Sequence, residues 1–165
     1  MAQRRPISRM AVEATVLRLG EAEAEAAHGL YERWIEEQPE LAAFVLGSAL
    51  QMGEAARTQA ATLAPVVYEV FRVVRSGGLG RLDPGRIQGI LERNRALIGE
   101  VAAALAEGGE PPNLAEQTPE PALLDYVAQA AAETEAGEEL PGGDFLQLLL
   151  VLKTVIEALH EAPEA

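Results

Sequence analysis

FLQLLLVLKTVIEALH, residues 145–160, sets the architecture of this chain. Before its last turn only Gln147, Lys153, Thr154 and Glu157 are not apolar. Helical spacing gathers those four on one narrow side, so the rest of the helix has to be covered by protein. It is either the central post of a bundle or half of a subunit interface. The surrounding pattern predicts an all-α fold, a compact bundle of five to six helices around this C-terminal apolar helix.

Length and composition support that reading. At 165 residues, 48% of them hydrophobic, the chain is one domain with enough material for a core. Aromatics are 4%, while Ala, Leu, Glu and Arg, all good helix formers, dominate. With no cysteine there is no disulfide, thiolate nucleophile or cysteine metal site. The formal charge of −13, from 26 acids and 13 bases, repels phosphate backbones and anionic membranes, so neither nucleic acid nor membrane is an expected partner. Lys153 and Glu157 interrupt the longest apolar run well short of a membrane span. The start, MAQRRPISRM, lacks the apolar core of a secretory signal, and the expected location is the cytoplasm.

Outward from the last helix, residues 1–9 read as a flexible arm, 10–160 as a single helical domain and 161–165 as a disordered tail. A helical pattern runs over 10–38 with an interruption at Gly20; its clearest part is Ala27, Leu30, Tyr31, Trp34 and Ile35, opposed by glutamates. Residues 12–19 also alternate as a strand would, with 66–74 as the only partner available. Pro39 opens a second helix that closes at Gly53. A third runs over 54–75, where Leu63, Val66, Val67, Val70, Phe71 and Val74 form a helical stripe despite the β-branched run. Pro65 would kink that helix or start a fresh one. Asp83 and Pro84 form a cap-plus-proline start for a fourth helix, to about 107, with Ile87, Ile90, Leu91, Leu97, Ile98, Val101 and Leu105 inward. EPPNLAEQ is a linker. Thr118 and Pro119 repeat the start signal for a fifth helix to about 136, GEELPGGD turns the chain, and Asp144 caps the sixth.

Three features carry weak chemistry. The two histidines each follow a glutamate by three residues, Glu25 with His28 and Glu157 with His160. That spacing places two ligands on one helical face, as in carboxylate-bridged di-iron bundles, for which Glu69 and Glu100 could serve as single ligands. Glutamate is abundant here, and surface histidines beside acids are the favoured reading. Second, Arg72, Arg75, Arg81, Arg86, Arg93 and Arg95 crowd a segment whose acids are only Asp83 and Glu92. With the glycines of GGLGR and the helix start at Pro84, the loop 75–86 could hold a small anion through Arg75, Arg81 and Arg86. Pairing of these arginines with the protein's own acids, or those of a second subunit, is favoured over a ligand. Third, Asn94 falls in an apolar stripe. It reads as a device that fixes helix register rather than as a ligand contact, since an unpaired buried amide costs about 1–3 kcal/mol.

No serine lies in an arrangement that suggests a nucleophile, so no catalytic residue and no cofactor are assigned. The leading expectation is a non-catalytic helical protein that acts through protein–protein contacts as a homodimer. It rests on the excess of apolar helical surface and on the complementary acidic and arginine-rich segments. A carboxylate–histidine metalloprotein and a small-anion binder are the alternatives.

Overall fold

The helix at 145–160 is enclosed by its own chain. The structure, a computed structural model, describes residues 4–76, 78–133 and 140–165. Among these the fold is all-helical: α1 (Arg9–Glu21), α2 (Ala24–Glu37), α3 (Pro39–Ala49), α4 (Glu54–Val74), α5 (Pro84–Ala106), α6 (Pro121–Ala132) and α7 (Gly142–Glu161). One 3-10 turn, Leu114–Gln117, lies between α5 and α6. α7 packs against α3, α4, α5 and α6. Every residue from 148 to 159 is buried, Lys153, Thr154 and Glu157 included. Three of the four polar residues are therefore inside as well, and Gln147 is half-buried. No helix among the described residues is long and apolar enough to cross a membrane.

The described residues hold seven helices where five or six were expected, because 10–38 divides in two. Gly20 stays within α1, and the break falls at Ala22 and Glu23, whose backbones are extended. Two extended residues let α1 lie on α4 and α6 while α2 turns onto α3 and α4. Residues 12–19 and 66–74 are both helical, not a strand pair. Leu63, Val67, Val70 and Phe71 are each at most 4% exposed on one helical face, and that burial overrides the β-branched preference. α4 runs through Pro65 as one helix. Trp34 and Tyr68 pack with ring centroids 5.6 Å apart. The Tyr68 hydroxyl reaches neither solvent nor Asn94: it is buried with no hydrogen-bond partner among the described residues.

The helix starts divide between expected and displaced ones. Asp83 caps α5, its Oδ1 accepting from the Gly85 and Arg86 amides at 2.7 and 3.2 Å. Thr118 does not cap a helix beginning at Pro119. α6 begins at Pro121, and the Thr118 hydroxyl accepts from the Glu120 amide at 3.3 Å. Asp144 does not cap α7, which starts from Pro141. Its carboxylate instead accepts from the Gly53 amide at 3.2 Å, tying the starts of α4 and α7 together. A Cβ at Gly53 would lie 2.7 Å from that carboxylate, which would have to swing aside to admit it.

The chain ends, expected loose, make contacts where they are described. Ile7 is buried, its amide donating to Glu120 Oε2 at 2.7 Å. Ala162 is fully buried, the Gly80 amide donates to the Pro163 carbonyl at 2.7 Å, and Leu79 bridges Glu164. Residues 1–3 lie outside the described residues, as do 134–139, which include the expected end of the fifth helix and the first three residues of the GEELPGGD turn.

Two substitutions test this packing by chemical denaturation. Leu152→Ala, at a fully buried site of α7, is expected to lower unfolding free energy by about 2–5 kcal/mol. Tyr68→Phe removes a hydroxyl that has no partner among the described residues, so stability should stay within about 1 kcal/mol of the parent.

Candidate functional site

Asn94 stands at the centre of a buried polar cluster between α5 and α7. The Lys153 ammonium donates to Asn94 Oδ1 at 2.7 Å, to Glu157 Oε2 at 2.8 Å and to the Gln117 carbonyl at 3.1 Å. Those three bonds engage all three of its protons. Asn94 Nδ2 donates to Glu157 Oε2 at 2.8 Å and to Thr154 Oγ1 at 3.3 Å, while Arg93 reaches Glu157 Oε1 at 3.4 Å. The cluster binds α5, α7 and the 3-10 turn in one register. Its ammonium has neither a free proton nor solvent contact, being 1% exposed.

An open cleft of about 450 Å³ borders this cluster, lined in part by Arg93, Gln117, Thr118, Glu157, His160 and Glu161. Glu120, fully buried, holds His160 Nδ1 at 2.9 Å through Oε1 and the Ile7 amide through Oε2. The imidazole is thereby fixed at the end of α7. Glu157 and His160 thus share a cleft, as their spacing suggests, yet each faces a different partner. His28 is on exposed α2 surface, 3.1 Å from Glu32, and Glu25 and Glu100 are exposed. Glu69 is enclosed by arginines: Arg72 binds it through two bonds of 2.7 and 2.8 Å, Arg18 lies at 3.4 Å and Arg33 at 3.9 Å. Among the described residues no three His, Asp or Glu side chains are placed to hold a metal ion, so the residues proposed for a di-iron site do not come together.

The crowded arginines find most of their partners in backbone carbonyls and in acids of the same chain. Arg75 Nη1 donates to the carbonyls of Leu159 and His160 at 2.9 and 3.0 Å, Arg86 to Glu161 at 3.1 Å, and Arg4 to His160 and Ala162 at 2.7 and 2.6 Å. Three guanidiniums therefore occupy the C-terminal end of α7, where orphan carbonyls and the negative end of the helix dipole favour cations. Arg81 makes only an exposed 3.4 Å contact with the Glu36 carbonyl. Burial, and after it the Arg4 charge, draws the Arg75 pKa below its usual value. The hydrogen bond to Glu69 holds that of Arg72 above it.

The largest apolar opening among these sites lies at the other end of α7. A groove of about 720 Å³ runs between the last turns of α5, the 110–115 connection, α6 and the first turns of α7. Val101, Leu105, Leu114, Ala128, Phe145 and Leu146 contribute its apolar wall. Leu105, expected to face inward, is 55% exposed there. Sequence reading missed the groove because EPPNLAEQ reads as linker. The apolar ends of two helices on either side of that linker were the available clue.

Lys153→Ala would leave Glu157 buried without its ammonium, and a loss of about 3–5 kcal/mol in urea unfolding is expected. Replacing Lys153, Asn94 and Glu157 together by Met or Leu should recover most of that loss, since no charge is then stranded. Comparison with protein-family models, with curated proteins and with solved structures finds no match to this chain, leaving its own geometry as the guide to function.

Proposed function

We propose that this is a non-catalytic helical protein that acts through protein contacts, receiving a helical segment of a partner in the groove between α5, α6 and α7. The groove itself carries the reading. Its volume of about 720 Å³ lies within the range of formed binding sites, and a contiguous apolar opening flanked by helices suits the apolar face of another helix. The polar clusters support a binding role less directly. Lys153, Asn94, Glu157 and Glu69 are all engaged by their own neighbours.

Both motives for a homodimer are met within one chain. α7 is buried by α3, α4, α5 and α6, and Arg75 and Arg86 serve its carbonyls. Exposed apolar side chains such as Met10, Leu17 and Leu50 are scattered over other helices, whereas Leu105 belongs to the wall of the groove. A partner protein is therefore the proposed occupant, in place of a second copy.

A labelled amphipathic helical peptide with leucines at i, i+3, i+4 and i+7 should bind, and fluorescence anisotropy reads the affinity. Leu105→Gln, at a half-exposed site, is expected to weaken it by about tenfold while leaving the melting temperature nearly unchanged. Failure of such peptides to bind would remove the proposal. Sedimentation equilibrium showing a dimer that Leu105→Gln dissociates would place a second copy in the groove instead.

A further inference from the structure

We propose that the helix seated in the groove is cationic, with lysines or arginines flanking its apolar stripe. This rests on the binding role proposed for the groove. The residues that line it all fall between 101 and 149. They lie within a stretch, 96–152, that contains eleven acids and not one lysine, arginine or histidine. Every lysine and arginine of the chain lies before it or at Lys153. The two charged residues in the groove wall, Glu110 and Asp125, are both acids. Arg9 reaches in from α1 to one of them, pairing with Asp125 at 2.7 Å on exposed surface.

With Asp125 paired to Arg9, the unpaired charge in the wall among the described residues is Glu110, and an apolar wall set in an acidic stretch selects its occupant by charge. An acidic helix would bring like charges together as its leucines approached. A basic one would be drawn in from a distance and then held by its apolar side. A second copy of this chain fits poorly, because each carries −13 and the acidic stretch would face itself. Anionic membranes are repelled by the same field.

Three labelled peptides sharing one leucine stripe, with Lys/Arg, Gln/Ser or Glu on the polar face, separate the contributions when titrated against the full chain. At low salt the basic peptide should bind about tenfold or more tighter than the acidic one, and the difference should collapse near about 0.5 M salt. Glu110→Gln is expected to narrow the gap. Leu105→Gln and Ala128→Gln, both neutral changes in the wall, should weaken the basic peptide at either salt concentration. Equal affinity for all three peptides, with Leu105 sensitivity kept, would overturn the cationic partner while leaving the groove as a binding site. Tight binding of the basic peptide that ignores both wall substitutions would also overturn it, marking attraction to the acidic surface alone. No binding by any of the three would fell the underlying role of the groove.

Discussion

The burial of one ammonium group governs this fold. Lys153 lies inside a helix enclosed by four others, and a charge taken out of water is stable only where its surroundings supply what water did. Here Asn94, Glu157 and the Gln117 carbonyl supply it, from α5, from α7 and from the 3-10 turn. Sliding α5 along α7 by one turn would take Asn94 away from the buried Lys153–Glu157 pair, so that each partner would lose a hydrogen bond. An apolar interface of leucines and isoleucines tolerates such slippage far better. The polar cluster therefore selects one alignment among several that hydrophobic burial alone would accept.

The same helix needs its end closed. Its last carbonyls have no partners within α7, and guanidiniums from the N-terminal segment, from the end of α4 and from the start of α5 provide them. Glu120 extends that closure. It has no contact with water, and its two oxygens join the Ile7 amide to the His160 ring. Segments remote in sequence are thus fastened to one point, and the chain ends pack there where a polar composition suggests loose tails.

Fold class was legible because it follows from local pattern. The period of α5 and α7, the cap at Asp83 and the unusual position of Asn94 could all be read from residues within a few turns. What the pattern leaves open is which partner a polar residue takes. Asp144 has the chemistry of a cap and supports a neighbouring helix instead. The arginines at 72–95 suggested either an external anion or acidic side chains, whereas Arg75 and Arg86 serve carbonyls, atoms that sequence reading does not count. Glu157 and His160 share a cleft as their spacing implies, but Glu157 turns to Lys153 and His160 Nδ1 to Glu120, and no set of three ligands forms among the described residues. The groove was the least legible feature, since its lining joins residues of α5, α6, α7 and a segment that reads only as linker.

Charge segregation along α7 connects these features. Arg4, Arg75 and Arg86 gather at its C-terminal end, where the dipole is negative. Asp144 lies in its first turn, where the dipole is positive, and the chain around that end carries acids alone. Placing three cations where the helix ends leaves few near the place where it begins, Arg9 on Asp125 among them. The apolar wall of Phe145, Leu146 and Leu105 is consequently left beside carboxylates. A requirement for stabilising the central helix thereby also fixes the electrostatic character of the opening beside it, and a partner that enters there meets a field set by the fold.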